Sequence, residues 1–482
     1  MSETRKPPPR GFFGHPRMLA NLFGLELWER FSFYGMQGIV LYYMYYAASR
    51  GGLGIDVTVA TGIVGAYGGG VYLATIVGAW LADRVFGCER VLFGSAVAVM
   101  AGHVVLALAP GTGGLAAGLV LIALGSGGVK ANATALVGSL YGIDDPRRDA
   151  GFLLFYLGVN IGALLGPLLT GLLQSRWGFH IGFGAAAVGM AAGLGQYAAT
   201  RRGLPASAHE VANPLAPQWR RRVVMAAIGL AVVIGALVGD GVITAANLAT
   251  VMAAAAGLAA LGYLIVILSS RRLDAVERRR VLGFLPLFSA SIVFWALFQQ
   301  QFTVLALYAD QRVNRVILGW QIPPSWVLAI NPVFIVALSG VFAALWTRLG
   351  NRQPGTPTKF ALGLTIMGVA FWGFVPLAGR AGVPLAAVVG IVALFTVAEL
   401  LISPIGLSVT TKLAPKAFHT QMVALFFLSV SLGTTGAGIL AGHYDPAREV
   451  PYFGSLGAVS VLAGVVLALC SPVVRRLMAG VR

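Results

Sequence analysis

The sequence predicts an all-α membrane protein with fourteen transmembrane helices. Hydrophobic residues make up 57% of the chain and charged residues only 11%, and the mean hydropathy is +0.82. These values are typical of membrane proteins rather than soluble ones. Apolar runs of about 20 residues recur along the whole length, which is the span that an α-helix needs to cross roughly 30 Å of hydrocarbon. No soluble domain of useful size remains between the runs.

Each predicted span is bounded by turn-forming or charged residues, such as Pro323-Pro324 and Asp445-Pro446. The spans are 18–46, 57–82, 91–109, 115–139, 150–173, 179–199, 223–239, 246–268, 281–309, 326–346, 360–377, 384–410, 420–442 and 453–474. An even number of spans places both termini on the same side of the membrane.

Basic residues in the loops predict which side that is. The N-terminal residues 1–17 are polar and basic, lack the apolar core of a signal peptide and are predicted to form a cytosolic tail. Most of the 34 Lys and Arg residues fall in the termini and even-numbered loops, as in Arg220–Arg222 and Arg278–Arg280. By the positive-inside rule this side is cytoplasmic.

The formal charge of +17 could also indicate nucleic-acid or anionic-lipid binding. The basic residues are spread over every inner loop, which favours a topological signal that also meets anionic headgroups. No nucleic-acid partner is therefore predicted. Cys88 and Cys470 have no disulfide signature.

The first span contains the strongest functional signal. Its residues Glu26, Glu29, Arg30, Tyr34 and Gln37 lie on one helical stripe. An ionisable residue at membrane depth costs at least about 2.5–3.5 kcal/mol on insertion scales, so it usually faces a bundle interior or a watery cavity. We predict a functional site here; the alternative is a self-neutralising ion cluster that locks helices together.

Three other spans carry polar residues one helical turn apart in otherwise apolar runs. They are Lys130 between Ser126 and Thr134, Tyr156 with Asn160, and Glu399 with Ser403 beside Pro404. An asparagine in such a run could simply join helices by a hydrogen bond. Charges of both signs, aromatic rings and amides from both halves of the chain together predict a cavity that binds a zwitterion.

Catalysis and ion conduction are less well supported by the sequence. His103 is the one histidine clearly within a span, and we interpret it as a packed side chain rather than a catalyst. No catalytic triad, metal-ligand spacing or channel filter motif is present. The sequence therefore predicts neither an enzyme nor a cofactor.

ELWERFSFYG, residues 26–35, resembles the ExxERFxYYG motif of the proton-dependent oligopeptide transporter (POT/PTR) family of the major facilitator superfamily. GAWLADRVFG is similar to the superfamily loop signature, with Gly78, Asp83, Arg84 and Gly87 in the expected places. FLLFYLGVNIGALL, FWALFQQQ and ELLISPIGLS resemble the family's motifs on helices five, seven and ten.

The resemblance covers the whole chain and implies the major facilitator fold: two six-helix bundles with two extra helices between them. The implied domains are the tail of residues 1–17, an N-terminal bundle of residues 18–200, a linker of residues 201–278 with the two additional helices, and a C-terminal bundle of residues 279–482. The implied home is the inner membrane of a bacterium, with both termini cytoplasmic.

By this resemblance the chain imports di- and tripeptides with protons, by alternating access of the two bundles. Arg30 and Lys130 are expected to hold the peptide carboxylate and Glu399 the amino terminus. The residues expected to line the cavity are Tyr34, Tyr67, Asn160, Trp295, Asn331 and Ser403. Glu26 and Glu29, close to Arg30, are the proton-coupling candidates. The expected partners are peptides, protons and the lipid bilayer, and a monomer is expected.

Two positions depart from the family pattern in a way that concerns the outer gate. Where the family has an arginine on helix one and an acidic residue on helix seven, this chain has Gln37 and Gln299. We expect the two amides to face each other within hydrogen-bonding reach when the outer gate is closed. Phe33 and Phe426 also replace aromatic residues of the family with less polar ones.

Two other function classes stay open on the sequence alone. One is a related carrier without proton symport, either a facilitator or a carrier for another small zwitterion or anion. The other is a receptor-like or scaffolding membrane protein that keeps only the fold.

Overall fold

The computed structural model describes residues 11–142, 145–380 and 382–481. Most of the predicted cytosolic tail, residues 1–10, lies outside the described residues. Within them, an isolated bridge joins Phe12 to His15 just before the first helix.

The described part of the chain contains fourteen helices of at least 17 residues and one of eight. In chain order they are α1 (Arg17–Tyr45), α2 (Val57–Leu81), α3 (Cys88–Leu108), α4 (Gly111–Ser139), α5 (Arg148–Trp177), α6 (Phe179–Thr200), α7 (Pro217–Gly239), α8 (Leu248–Leu268), α9 (Ala275–Phe298), α10 (Val304–Gln311), α11 (Ile330–Leu349), α12 (Thr356–Trp372), α13 (Leu385–Leu413), α14 (His419–Ala441) and α15 (Glu449–Leu477). The fourteen long helices confirm the predicted fold class.

Twelve helical segments of the described residues are long and apolar enough to cross a membrane. The long helices outside this set are α1, which carries four charged residues, and α6, which is rich in Gly and Ala. The chain is therefore a multi-pass membrane protein.

The predicted ninth span is not continuous. A short 3-10 turn, Gln299–Phe302, separates α9 from α10, and Thr303 has φ −123° and ψ −90°, which is outside the helical region. The break begins at Gln299, in the middle of the FWALFQQQ motif. Sequence periodicity did not reveal it because the run stays apolar on both sides.

Residue contacts divide the described chain into two compact units. The first, the amino unit, contains the residues up to Met36 and Ala74–Ala231; the second, the carboxyl unit, contains Gln37–Leu73 and the residues from Val232 onward. The division cuts through α1, α2 and α7, so each of these helices contributes to both units. The two units group residues by their contacts and not by their order in the chain. The predicted linear domains, residues 1–17, 18–200, 201–278 and 279–482, therefore stay a prediction.

Small residues set the packing of α1 on α5 in the amino unit. A Cβ added at Gly162 would lie 2.3 Å from the carbonyl oxygen of Leu27, and one at Gly166 would lie 2.4 Å from that of Phe31. Only a residue without a side chain permits this approach, as in small-xxx-small packing of membrane helices. Thr170 also donates a hydrogen bond to the Gly35 carbonyl, at 2.8 Å. The charged stripe of α1 is thus fixed against α5.

In the carboxyl unit, α14 packs against both α2 and α9. Gly65 and Gly438 allow the α2 and α14 backbones to touch, since a Cβ on Gly65 would lie 2.5 Å from the Gly438 Cα. The hydroxyls of Ser291 and Ser429 are 2.7 Å apart and join α9 to α14. These contacts hold α14 against α2 and α9.

Short strands occur in two places of the carboxyl unit. β1 (Val313–Asn314) pairs in parallel with β4 (Val383–Pro384), which precedes α13. β2 (Val316–Ile317) and β3 (Trp320–Gln321) form an antiparallel hairpin through Leu318 and Gly319, both with positive φ.

Candidate functional site

Three of the charged residues of α1, Glu26, Glu29 and Arg30, form a buried ion cluster in the amino unit. The Arg30 Nε lies 3.1 Å from a carboxylate oxygen of Glu26 and 2.6 Å from one of Glu29. Arg30 and Glu26 are each about 5% exposed and Glu29 is fully buried. The predicted contact between the α1 glutamates and Arg30 is confirmed.

The two glutamates of the cluster have different surroundings. Glu29 Oε1 accepts a hydrogen bond from the Ser126 hydroxyl of α4, at 2.8 Å. Glu26 Oε2 is buried and accepts no hydrogen bond from the described residues. A buried acceptor without a donor is costly, so the two carboxylates of the cluster are not equivalent.

Glycines on α4 bring Ser126 and Lys130 to this cluster. A Cβ at Gly127 would lie 2.5 Å from the Ala74 backbone, and one at Gly78 would lie 2.6 Å from the Gly128 Cα. The close approach of α2 and α4 fixes the rotation of α4, and Lys130, half-buried, lies within electrostatic range of the α1 charges. The GSGG run preceding Lys130 therefore has a packing role.

Aromatic residues border the charged stripe. The Arg30 guanidinium carbon lies 5.3 Å from the centre of the Phe33 ring, a cation–π distance. Tyr34 contacts Phe33 edge to face, with ring centres 5.3 Å apart. Phe33, where the family motif has tyrosine, thus shields the arginine without offering it a hydroxyl.

Asn160 on α5 is buried and bonds to its own helix. Its Nδ2 donates to the Tyr156 carbonyl at 2.8 Å. Asn160 therefore bonds to the backbone of Tyr156 and not to its side chain. The Tyr156 side chain is 45% exposed. The role of Asn160 in a cavity stays a prediction.

A second polar group lies in the carboxyl unit, on α11 and α13. Asn331 Nδ2 donates to Glu399 Oε2 at 3.1 Å and to the Thr396 hydroxyl at 3.0 Å. Ser403 lies one turn after Glu399 and is half-buried. The Asn331 amide orients the Glu399 carboxylate, and the Thr396 hydroxyl orients the amide. Thr396 was not among the residues predicted from sequence. The FTVAE stretch carried that signal, because Thr396 precedes Glu399 by three residues.

Two predicted cavity residues of the carboxyl unit are buried aromatics. Trp295 is 7% exposed, and its Nε1 has no hydrogen-bond partner among the described residues. Tyr67 on α2 is 6% exposed. An indole N–H normally finds a partner when buried, so Trp295 has a donor available for a ligand.

No hydrogen bond joins Gln37 to Gln299 among the described residues, and the contact expected when the outer gate is closed stays a prediction. Gln299 Nε2 donates instead to the Thr434 hydroxyl of α14, at 3.1 Å. Thr434 gives its own proton to the Val430 carbonyl at 2.7 Å, which leaves its oxygen free to accept. Gln37 is buried, and its Oε1 accepts no hydrogen bond within the described residues. Gln299 bonds to Thr434 because α14 packs directly against α9 and places the Thr434 hydroxyl within reach of the Gln299 amide.

The loop signature between α2 and α3 binds the segment that follows α6. Asn213 Nδ2 donates to Asp83 at 3.0 Å, and the Asn213 backbone N–H donates to the Asp83 carbonyl at 2.9 Å. Arg84 lies 3.8 Å from Asp83 and is about half exposed. A π-turn over Ala82–Phe86 presents these groups.

Gly87 ends that turn with φ +84°, and a Cβ there would lie 2.9 Å from the His209 carbonyl. The next acidic residue, Glu89, is 2% exposed and pairs with Arg201 at 2.9 Å. The loop-signature residue Asp83 and the following Glu89 thus connect this loop to the segment that follows α6. The sequence alone did not indicate Glu89, because its partner Arg201 is distant in the chain.

A polar cluster at the end of α1 also escaped the sequence analysis. Tyr45 and Tyr46 both donate to Asp310 on α10, Tyr46 at 2.8 Å. Tyr42 donates to the Ala306 carbonyl at 3.1 Å. The LYYMYY run supplies these hydroxyls, but its pairing with Asp310 depends on a distant helix.

No group of three or more His, Cys, Asp or Glu side chains that could hold a metal occurs among the described residues.

Comparison with known proteins gives a consistent match. A family model described as the POT family matches residues 89–456. The chain is 41% identical to a Bacillus subtilis (strain 168) protein named uncharacterized transporter YclF, over 100% of this chain and 98% of that one. It is 38% identical to a di-/tripeptide transporter of Lactococcus lactis subsp. cremoris, over 98% of each.

Among solved structures, the fold is similar to that of a crystal structure described as peptide transporter POT in complex with sulfate. The TM-score is 0.94 at 42% sequence identity, and the match covers 98% of each chain.

Proposed function

Because this chain belongs to the POT family of transporters, we propose that it is a proton-coupled symporter that imports di- and tripeptides by alternating access. It is a transporter and not an enzyme, with the major facilitator fold. The observation that supports the proposal best is the buried cluster of Glu26, Glu29 and Arg30 beside Lys130. Such a group of ionisable residues at membrane depth is costly and marks substrate or proton pathways.

We assign recognition of the two peptide ends to the two units. In the amino unit, Arg30 and Lys130 supply positive charge for the peptide carboxylate. In the carboxyl unit, Glu399, held by Asn331, supplies a carboxylate for the amino terminus. Charge-assisted hydrogen bonds of this kind are about twice as strong as neutral ones. Because every peptide has these two ends, such a site tolerates different side chains; Tyr34, Tyr67, Asn160, Trp295 and Ser403 would shape it.

Proton coupling follows from the competition for Arg30. While both glutamates are ionised, Arg30 is paired with them, as the distances of 3.1 and 2.6 Å describe. A proton on Glu26 or Glu29 removes one competing charge and frees the guanidinium for a peptide carboxylate. Release of the peptide to the cell interior would let the cluster re-form and return the proton.

The topology proposed with this function has both termini in the cytoplasm and the protein in the inner membrane of a bacterium. The support is the excess of Lys and Arg in the even-numbered loops. A monomer is proposed.

One observation favours a second candidate, a facilitator that carries peptides or another small zwitterion without protons. Gln37 and Gln299 are amides where the family has a charged pair, and amides do not titrate near neutral pH. A carrier that lacked coupling would still move substrate down its own gradient.

Uptake of labelled dialanine into proteoliposomes tests the proposal. We expect uptake against the dialanine gradient when the outside is acidic, and no such accumulation when a protonophore is present. Equal uptake with and without the proton gradient would establish the facilitator. Absence of uptake, while the protein still runs as a monodisperse species, would contradict transport of dipeptides.

A further inference from the structure

A basic cavity lies in the carboxyl unit at the end where α12 begins and α11 and α13 end. It measures about 450 Å³ and is lined by Trp346, Gln353, Lys359, Ser408 and Lys412, among others. An adjoining cavity of about 390 Å³ is lined by Arg475 of α15. The two cavities share Gln353, Gly355 and Thr356 in their linings, so three cations lie around two adjoining cavities.

These cations have no acidic partners. Lys359, only 9% exposed, donates to Gln353 Oε1 at 3.0 Å and lies 4.0 Å from the centre of the Trp346 ring. Arg475 donates to the Thr358 hydroxyl at 2.7 Å. In the described part of the chain, none of the three forms an ion pair. A buried lysine beside two further cations is costly unless an anion compensates it.

The position of the cavity on α13 separates it from the peptide site. Ser408 and Lys412 follow Glu399 by nine and thirteen residues, which at 3.6 residues per turn is a rotation of about 180° and about 220°. They lie on the opposite face of the helix from Glu399. The cavity therefore does not belong to the polar group formed by Asn331 and Glu399.

Exposed apolar residues occur close to the cavity in the sequences of α11 and α12. Leu345 precedes Trp346 and is 42% exposed, and Leu362 lies one turn after Lys359 and is 45% exposed. A charged cavity at the helix ends that adjoins an apolar surface has the chemistry of a lipid headgroup site, and such basic pockets between membrane helices bind anionic lipids.

We propose that this cavity, the Lys359–Lys412 site, binds the phosphate of an anionic phospholipid. Lys359 and Lys412 contact the phosphate, Arg475 adds positive charge from the adjoining cavity, and the acyl chains lie along the exposed apolar residues. The ligand chemistry is a phosphate group, which a lipid or a soluble anion could supply; the apolar surface beside the cations assigns it to the lipid.

Native mass spectrometry of the full-length protein in detergent tests the site. Phosphatidylglycerol, phosphatidylcholine with the same acyl chains, and inorganic phosphate are each added to the purified wild type. We expect adducts with phosphatidylglycerol that survive activation better than those with phosphatidylcholine, and no retained inorganic phosphate. Equal retention of the two lipids would overturn the proposal, and retention of inorganic phosphate at comparable concentration would overturn the lipid assignment.

Variants then locate the site. In the double variant Lys359→Gln, Lys412→Gln we expect phosphatidylglycerol affinity to fall roughly thirtyfold, since each basic residue near an anionic surface contributes about a factor of five. The matched control, Arg271→Gln with Arg272→Gln, removes two exposed loop charges and should bind as wild type. The single variant Lys412→Gln, which changes an exposed side chain, should lose about fivefold. Unchanged binding in Lys412→Gln and in the double variant would overturn the proposal.

Discussion

Arg30 is the residue on which the charges of the amino unit converge. Its Nε contacts Glu26 and Glu29, and its guanidinium lies against Phe33. The two carboxylates are not equivalent, because Ser126 donates to Glu29 whereas Glu26 Oε2 has no donor among the described residues. Replacing either glutamate by glutamine removes a group that can bind a proton but keeps a side-chain oxygen that can accept a hydrogen bond.

The first prediction concerns Glu29. Glutamine at this position can still accept from Ser126 but cannot exchange a proton near neutral pH. Glu29→Gln should abolish dialanine uptake driven by a proton gradient, while counterflow of dialanine continues in part. The control Ser126→Ala leaves the carboxylate able to titrate and removes one hydrogen bond worth about 1 kcal/mol, so both activities should persist. Equal loss of uptake and counterflow in Glu29→Gln would make the residue structural.

The second prediction concerns the substrate ends. If Arg30 and Lys130 hold a carboxylate and Glu399 an amine, a dipeptide amide and an N-acetyl dipeptide should each compete poorly with labelled dialanine. A hydrogen bond to a charged group is worth about 1.5–3 kcal/mol, which corresponds to a tenfold to hundredfold rise in the inhibition constant for each blocked end. Undiminished competition by both blocked peptides would remove the zwitterion site.

At the scale of elements, close contacts between helices place these side chains. The contact of α5 with α1 depends on Gly162 and Gly166, and that of α14 with α9 on the Ser291–Ser429 pair and the Gln299–Thr434 bond. Each of these contacts joins a helix carrying a candidate site residue to a neighbour. A substitution at one of these helix contacts should therefore shift the candidate site residues without altering any charged side chain.

The third prediction tests the α1–α5 contact. In Gly166→Ala the new Cβ would lie 2.4 Å from the Phe31 carbonyl oxygen, so the helices must separate at a cost of about 1–3 kcal/mol. Thermal unfolding of the purified protein should begin at a lower temperature. The control Gly184→Ala, on α6, meets nothing within 4 Å and should be neutral or slightly stabilising. Equal unfolding temperatures for the two variants would show that α1 does not need this contact.

The fourth prediction tests the Gln299–Thr434 bond. Thr434→Val keeps the shape of the side chain and removes the acceptor, leaving a buried amide donor that costs about 1–3 kcal/mol. The neighbouring Thr435 donates to the Ser431 and Leu432 carbonyls of its own helix, and it bonds to no side chain among the described residues. Thr435→Val should therefore lower the unfolding temperature less than Thr434→Val. A larger effect at Thr435 would mean that Gln299 gains little from its partner.

The helices were predictable from sequence, whereas several partners within the site were not. All fourteen long helices were expected, because apolar runs and turn residues act locally. The break at Gln299, the Gln299–Thr434 bond and the Tyr45–Tyr46–Asp310 cluster depend on which distant helix lies alongside. The Glu26–Arg30 pair was foreseen because its residues are one turn apart on the same helix. Interactions beyond one helix need the packing to be known.

At the scale of the whole molecule, the charged groups are divided between two units. The amino unit holds the Arg30 cluster and Lys130, and the carboxyl unit holds Asn331 and Glu399. Under the proposed function, Arg30 and Lys130 recognise the peptide carboxylate and Glu399 the amino terminus. Proton coupling is then expected from Glu26 and Glu29, because the amides of Gln37 and Gln299 do not titrate near neutral pH.

The most direct test of this account is a measurement of proton movement during peptide uptake. Proteoliposomes containing a trapped pH-sensitive dye, with equal pH inside and outside, receive dialanine in the external medium. We predict that the lumen becomes acidic as dialanine enters, and that vesicles with Glu29→Gln show no acidification. Entry of labelled dialanine into wild-type vesicles without any acidification would contradict proton symport and identify the protein as a facilitator.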